Sequence, residues 1–280
     1  MCSIAAPAKI NLSLRILAKR EDGFHELDTI MAPLDLGDGL DFHNSRTTTL
    51  LCDTPGVPTD ESNLVFKAVR VFEQAYGRKT KQRITLTKRT PHGAGLGGGS
   101  SDAAQTLNYL NDHLGTQYDA EELTAMAAQL GSDVPFFLNP RISRCTGRGE
   151  VCTPLPELAS WTSPIFIMKP AFAVATPSAY KNFADSQENP SFTYAAQQLD
   201  GVELVNDLER PVFAKFPILG IMKQWLLAQS GVRAALMSGS GSSLFALTES
   251  LEQAQALEAA AKAEFGESLF CHSGWVNPQA

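Results

Sequence analysis

One segment constrains this chain more than any other, the glycine-rich run PHGAGLGGGSSDAA at residues 91–104. Five of the seven positions from Gly93 to Gly99 are glycine, and such a run lets the backbone approach a ligand and turn several N–H groups toward it. RITLTK before the run is typical of a strand, and DAAQTLNYLNDHL after it has apolar residues at helical spacing. The order strand, loop, helix N-terminus predicts an anion site suited to the phosphates of a nucleotide.

The common phosphate loops do not match this run. A P-loop ends in Gly-Lys-[Ser/Thr], whereas Ser100 follows Gly99 and no lysine occurs between Arg89 and Arg141. A dinucleotide fingerprint needs a strand that leads directly into the first glycine, and an acidic residue at the end of a second strand. The companion motifs of the protein-kinase glycine loop are missing. An ordinary flexible turn is the remaining alternative, and the serine pair leading into a well-patterned helix argues against it.

The composition of the chain limits the kinds of molecule that it is expected to bind. The 280 residues are 44% hydrophobic and 19% charged, which is typical of a folded globular protein. The net charge of −7 disfavours nucleic acid as a partner. Five scattered cysteines without metal-site spacing favour a reducing compartment. The N-terminal residues lack the features of a signal peptide and no apolar run reaches membrane-spanning length, so we expect a cytoplasmic protein that does not contact a membrane.

Periodicity predicts mixed helices and strands. In the first half we expect a half-buried strand at residues 10–17, a hairpin-like turn at LGDGLDF, a helix in ESNLVFKAVRVFEQAY, a strand at 83–88, and two helices after the glycine loop, the second capped by a left-handed Gly131. In the second half we expect strands at IFIM, VRAALM, SLFALT and FCHSGWV, and helices in FPILGIMKQWLLAQ and LEQAQALEAAAKAEF. Prolines after Glu150 place a domain boundary near residue 155, giving domains 1–155 and 156–280 of α+β class.

Six cations lie between Arg78 and Arg89. Because the chain as a whole is acidic, we interpret them as a solvated loop and the outward face of an edge strand, without a chemical role.

Three segments resemble the GHMP kinase superfamily: PAKINLSL at 7–14, the glycine loop, and MSGSGSSLFAL at 237–247. The resemblance implies a two-domain fold, with an N-terminal domain like domain 2 of ribosomal protein S5 and a ferredoxin-like C-terminal domain. It also implies that ATP, as its Mg²⁺ complex, binds the loop residues Pro91, His92, Gly93, Ala94, Gly95, Leu96, Gly97, Gly98, Gly99, Ser100 and Ser101. His92 stands where the family more often has an apolar residue, and no carboxylate is identified as a magnesium ligand.

Further segments are similar to one branch of that superfamily: DGFHEL, LDLGD, TDESNLV, LGSDVPFF, GRGE and NDLE. This closer resemblance implies that ATP phosphorylates the 2-hydroxyl of a CDP-linked methylerythritol, in the non-mevalonate route to isoprenoids. Two alternatives remain: a sister kinase for another small alcohol, such as mevalonate or homoserine, and a catalytically inactive nucleotide-binding regulator.

The resemblance assigns two catalytic residues. Asp133, in Gly-Ser-Asp-Val-Pro, would otherwise be a turn or helix-capping aspartate, but it matches the catalytic base. Lys9 would otherwise be a snorkelling surface lysine beside a strand, but it matches the lysine that pairs with that base. Asn11 lies two residues further on the same strand face and is then available to hold the acceptor hydroxyls.

The resemblance also assigns a base-binding group. Phe24 replaces a more usual tyrosine and retains the ring that stacks on cytosine, and His25 hydrogen-bonds the edge of the base. Thr176 and Tyr180 fall on acceptor-binding positions, with the Tyr180 ring closing the stack from the other side. On the residues alone, His25 is an exposed turn histidine, and Tyr180 is equally well a core helix residue.

Overall fold

The computed structural model describes residues 2–279. Its strands are β1 (Cys2–Lys19), β2 (His25–Asn44), β3 (Thr49–Leu51), β4 (Gln82–Thr87), β5 (Ser143–Thr146), β6 (Val151–Pro154), β7 (Ser163–Lys169), β8 (Gln197–Leu199), β9 (Val202–Asn206), β10 (Val232–Met237), β11 (Leu244–Thr248) and β12 (Phe270–Val276). Its helices are α1 (Leu64–Tyr76), α2 (Gly98–Leu114), α3 (Ala120–Leu130), α4 (Val134–Leu138), α5 (Thr176–Lys181), α6 (Glu209–Lys215), α7 (Pro217–Leu227) and α8 (Leu251–Phe265). The predicted α+β class is confirmed.

The helices α1, α2 and α3 form where periodicity predicts them. Asn63 caps α1 by accepting a hydrogen bond from the backbone N–H of Val65 at 2.8 Å, and Gly77 ends the helix with a φ of 74°. The prediction for Gly131 is wrong: its φ of 163° is extended backbone, not a left-handed cap. The chain therefore leaves α3 extended and reaches Asp133 within two residues.

The predicted hairpin at LGDGLDF is also wrong, because β2 runs through it without a break. Antiparallel β1 lies directly against this part of β2, with Pro7 opposite Gly37. A Cβ atom at Gly37 would lie 2.6 Å from the carbonyl oxygen of Ala6. The glycine therefore permits a close approach of two backbones instead of making a turn.

The second half contains a four-stranded antiparallel sheet in the order β10-β11-β7-β12, with α7 and α8 in the connections. Counted from β7, the strands lie in the order 2-3-1-4, which is the ferredoxin-like arrangement. The sheet continues into the first half, because β12 pairs with β2 at Val276 and Leu34 and β1 runs parallel to β9. The domain boundary near residue 155 lies between β6 and β7 and stays a prediction.

Strand β1 lies at the centre of the molecule. It is predicted to be half-buried, but both of its faces are covered between residues 8 and 14. Ile10 and Leu12 pack into one apolar core, while Lys9 and Asn11 point to the other side and are also buried. This strand therefore carries polar side chains into the interior. Within residues 2–279, no helix has both the length and the apolar composition needed to cross a membrane.

Candidate active site

A cavity of about 820 Å³ opens between the glycine loop, β1, β2 and α5. Every site residue predicted from the sequence lines it except Ser101, which is fully buried in the first turn of α2. The cavity therefore brings together side chains from five separate segments of the chain. The roles of the individual residues stay predictions, and their distances and burial indicate which chemistry each of them permits.

The glycine loop forms the floor of the cavity. Gly93, Gly95 and Gly97 all have positive φ, and Gly97 is the N-cap of α2. A Cβ at Gly95 would lie 2.1 Å from the carbonyl oxygen of Ser238, so the loop from the first half touches the Gly-Ser turn between β10 and β11. Since the N-terminus of a 17-residue helix follows the loop, free N–H groups and the helix dipole favour an anion here.

Lys9 and Asp133 meet beside this loop. The Lys9 Nζ atom lies 3.4 Å from Oδ2 of Asp133, and it donates hydrogen bonds to Oδ1 of Asn11 at 2.6 Å and to the carbonyl oxygen of Gly95 at 3.1 Å. Asn11 in turn donates from Nδ2 to Oγ1 of Thr29 at 2.8 Å. The lysine is only 3% exposed, so its interpretation as a snorkelling surface residue is wrong.

Asp133 occupies the N-cap position of the short helix α4, but its side chain makes no capping hydrogen bond. The interpretation of Asp133 as a helix-capping residue is therefore wrong. Its carboxylate is open to a molecule bound in the cavity. The buried rings of Phe136 and Phe137 anchor α4 in the core beneath it. A carboxylate next to a buried ammonium, open to a cavity, is suited to accept a proton from a bound hydroxyl.

Aromatic side chains line the far arm of the cavity. The rings of His25 and Tyr180 stack with centroids 5.6 Å apart, and the Arg148 guanidinium lies 4.9 Å from the centre of the half-exposed Phe24 ring. Burial raises the pKa of the Tyr180 hydroxyl above its ordinary value. The structure therefore pairs Tyr180 with His25, and it covers one face of Phe24 with a cation that sequence reasoning did not single out.

Thr176 stands at the first position of α5, where its hydroxyl shares a 2.7 Å hydrogen bond with that of Ser240. Ser240 belongs to the same Gly-Ser turn that touches Gly95. The turn itself is held by Asn206, whose Nδ2 donates to the carbonyl oxygens of Met237 and Gly239 at 2.7 and 2.8 Å. Asn206 lies in the NDLE segment, so the family resemblance was the available signal for this support.

The opposite arm of the cavity contains residues that sequence reasoning did not assign to the site: Val57, Pro58, Ser62, Asn63 and Leu64. They precede and begin α1, where Asn63 also donates from Nδ2 to the carbonyl oxygen of Pro58 at 2.7 Å. Ser62, Asn63 and Leu64 belong to the TDESNLV segment and to the predicted helix, whereas Val57 and Pro58 lie outside both. Besides the loop, the lining therefore has one arm with the apolar residues Val57, Pro58 and Leu64, and a second arm that is aromatic and cationic.

A buried ion cluster lies behind the loop. Lys88 is ion-paired with Asp38 and with Asp102, the latter at 2.9 Å. Burial, together with the charge of Asp38, raises the pKa of Asp102 to about 7, although Lys88 opposes the shift. Burial alone would lower the pKa of Lys88, but the two carboxylates raise it. Lys88 was interpreted as a solvated cation, and this is wrong.

Comparison with known proteins identifies the two domains and the fold. Residues 63–140 match the GHMP kinases N terminal domain, and residues 194–267 match the GHMP kinases C terminal domain. A solved homoserine kinase from Cytophaga hutchinsonii shares the fold with a TM-score of 0.69 at 19% identity, covering 98% of this chain and 93% of its own. The fold, the glycine loop and the two domain matches define a GHMP kinase, and the chain belongs to that superfamily.

More similar proteins show which family within the superfamily the chain belongs to. The 4-diphosphocytidyl-2-C-methyl-D-erythritol kinase of Methylacidiphilum infernorum is 45% identical over 245 residues, covering 86% of this chain and 84% of the relative. The enzyme of the same name from Protochlamydia amoebophila is 44% identical, covering 86% and 83%. A crystal structure of 4-(cytidine 5'-diphospho)-2C-methyl-D-erythritol kinase superimposes with a TM-score of 0.81 at 35% identity, over 99% of this chain and 100% of that one. The chain belongs to the family of 4-diphosphocytidyl-2-C-methyl-D-erythritol kinases.

Proposed function

We propose that this chain transfers the γ-phosphoryl group of ATP to the 2-hydroxyl of 4-(cytidine 5'-diphospho)-2-C-methyl-D-erythritol, a step of the non-mevalonate route to isoprenoid precursors. The observation that carries the proposal is the Lys9–Asp133 pair in the cavity that the phosphate loop and the aromatic arm also line. A hydroxyl held beside Asp133 faces a phosphate held by the loop, which is the arrangement that phosphoryl transfer requires.

The two arms of the cavity suit the two substrates. The apolar arm at Val57, Pro58 and Leu64 fits the adenine and ribose of ATP, whose phosphates then extend over the glycine loop. The other arm offers Phe24 and Tyr180 to a base and three cations, Lys19, Arg148 and Lys181, to a diphosphate. A cytidine diphosphate presents both of these features in one molecule.

The reaction then proceeds in a single displacement. Asp133 accepts the proton of the acceptor hydroxyl as its oxygen forms a bond to the γ-phosphorus, and the bond from that phosphorus to the β,γ-bridging oxygen breaks to release ADP. The Lys9 ammonium stabilises the negative charge on the reacting oxygens. Asn11, already bonded to Lys9, orients this ammonium and the acceptor.

Mg²⁺ is the expected companion of ATP, and it neutralises phosphate charge when bound. Within residues 2–279, no three His, Cys, Asp or Glu side chains are grouped so that they could hold a metal ion. Mg²⁺ commonly takes most of its ligands from phosphates and water, and the Ser101 hydroxyl, although it has no hydrogen-bond partner, is fully buried and does not line the cavity. The ligands of the ion would therefore come mainly from the phosphates of ATP and from water. The free thiols of all five cysteines suit a reducing compartment such as the cytoplasm.

The test is an ADP-release assay on the purified chain with a panel of alcohols. We expect turnover with the cytidine-linked acceptor and none with mevalonate or homoserine. Turnover with either of the other alcohols would favour a sister kinase, and binding of ATP without turnover of any alcohol would favour an inactive regulator.

A further inference from the structure

A carboxylate outside the cavity binds the backbone where the phosphate loop begins. Asp38 of β2 is 2% exposed and does not line the cavity. Its Oδ1 accepts hydrogen bonds from the backbone N–H groups of Arg89 and Thr90, at 2.6 and 2.7 Å. These two residues connect β4 to the loop, so Asp38 fixes the direction in which the chain leaves the strand.

The same carboxylate also reaches the end of the loop. Its Oδ2 is ion-paired with Lys88, whose Nζ donates a second hydrogen bond to Asp102 in the first turn of α2. A Cβ at Gly98, the first residue of α2, would lie 3.1 Å from Oδ2 of Asp38 and 2.9 Å from Cβ of Thr90. One buried side chain therefore connects both ends of the loop.

Direct binding of ATP does not explain this arrangement. Asp38 lies behind the loop and carries the same charge sign as a phosphate. Lys88 does line the cavity, but two carboxylates already bind its ammonium group. The cluster instead holds the backbone at both ends of the phosphate loop. A loop that already has its bound conformation before the ligand arrives loses less entropy on binding.

We propose that Asp38 is a positioning residue that holds the phosphate loop in its ATP-binding shape. The inference rests on the proposed function, because it takes ATP to be the ligand of the loop. Asp38 acts on the nucleotide through Arg89, Thr90 and the Lys88–Asp102 pair, and it leaves the acceptor arm unaffected.

The chain offers a matched control in Glu73 of α1. This buried carboxylate also accepts a backbone hydrogen bond, from Thr80 N–H at 2.9 Å, and is ion-paired with Lys79 and Arg70. It does not line the cavity, and its carboxylate is bonded to Arg70, Lys79 and Thr80, none of which belongs to the loop. Glu73→Gln therefore removes a similar buried interaction at a place unrelated to nucleotide binding.

The experiment is calorimetric titration of wild type, Asp38→Asn and Glu73→Gln with a nonhydrolysable ATP analogue and, separately, with the cytidine-linked acceptor. We expect Asp38→Asn to weaken the analogue about tenfold or more, because two buried N–H groups lose an ionised acceptor. Its affinity for the acceptor should stay within about twofold of wild type, and Glu73→Gln should change neither affinity.

Unchanged analogue affinity in Asp38→Asn, or equal weakening of both ligands, would overturn the positioning role. A wild-type protein that does not bind the analogue would instead overturn the proposed function, and that measurement is separate. If Asp38→Asn does not fold, hydrogen exchange on the wild-type protein decides. Slow exchange of the Arg89 and Thr90 amides without nucleotide supports a loop fixed in advance, whereas fast exchange that slows only with the analogue contradicts it.

Discussion

The Nζ atom of Lys9 lies 3.4 Å from Oδ2 of Asp133, although the lysine side chain is 4% exposed and the aspartate side chain 35%. The ammonium is thus held inside the protein by Asn11 and Gly95, while the carboxylate remains open to the cavity. This asymmetry suits the two proposed roles, a fixed charge on the lysine and proton exchange with a bound hydroxyl by the aspartate.

Asp133→Asn should lower kcat about 10²- to 10⁴-fold, the range for loss of a general base. Affinity for ATP should change little, because Asp133 does not belong to the loop. Steady-state kinetics and nucleotide titration measure the two effects. Asp112→Asn, an exposed aspartate near the other end of α2, is the control. A folded Asp133→Asn enzyme with more than about half of wild-type turnover would contradict the role of general base.

Lys9→Met should reduce both turnover and stability. The substitution keeps an unbranched stem but leaves Asn11, Gly95 and Asp133 without their shared donor, and a buried polar group without a partner costs about 1–3 kcal/mol. Denaturant unfolding measures the stability and the ADP-release assay the turnover. Unchanged stability with normal turnover would exclude both the catalytic role and a stabilising role for Lys9.

Gly97→Val should abolish nucleotide binding. Gly97 has a φ of 69°, and its Cβ would lie 2.7 Å from the Phe137 ring and 3.2 Å from Cγ of Lys9, so the larger residue both strains the backbone and displaces Lys9. Titration with a nonhydrolysable ATP analogue measures the loss.

Gly115 provides the matched control for that glycine. It follows the other end of α2 with a φ of 62°, and a Cβ there would meet no atom within 4 Å. Gly115→Val therefore has a similar backbone strain without the steric conflict, and it should destabilise the protein while leaving ATP affinity intact. Equal affinities in the two variants would place the phosphates elsewhere.

Phe24→Ala should weaken the acceptor about 5- to 150-fold through KM, because stacking of a base on an aromatic ring contributes about 1–3 kcal/mol. The KM for ATP should stay near its wild-type value. Trp275→Ala is the control, since Trp275 is also partly exposed but lies outside the cavity. The measurement is kcat/KM for cytidine-linked, uridine-linked and base-free acceptors.

The wild-type enzyme should reject the uridine-linked acceptor, because a carbonyl in place of the amino group leaves polar partners mismatched. If wild type used all three acceptors equally, base recognition by Phe24 and His25 would be ruled out. The phosphate loop and the Lys9–Asp133 pair would then still describe a superfamily kinase for a different alcohol.

Prediction from the sequence succeeded where the pattern was local. The helix α1 is set by apolar residues at helical spacing and by the Asn63 cap, and both features lie within the segment. The run RITLTK forms β4 as expected, but not as an edge strand, because β4 pairs with β2 on one side and with β3 on the other. The predictions at LGDGLDF and Gly131 failed because they relied on glycine as a sign of a turn or a left-handed cap. In each case the glycine lies in extended backbone instead.

The burial of individual cations also escaped prediction. Lys88 belongs to a basic run in which most side chains are typical of a solvated surface, but its ammonium lies between Asp38 and Asp102, which are 50 and 14 residues away in the chain. Nothing within the run indicates those partners. Arg148 is similar: its position over Phe24 follows from the pairing of β5 with β2, not from its neighbours in the sequence.

The sequence by itself determined the glycine loop, the helix that follows it and the family to which the chain belongs, because these depend on residue types at short, fixed spacings. Only the tertiary structure decided that Lys9 is buried against Asp133, that His25 stacks on Tyr180, and that Asp38 connects both ends of the loop. The physical reason is the range of the interactions. Backbone preference and apolar periodicity act over a few residues, whereas ion pairs and ring contacts between distant segments exist only once the register of β1 on β2 and the packing of α4 and α5 have been set.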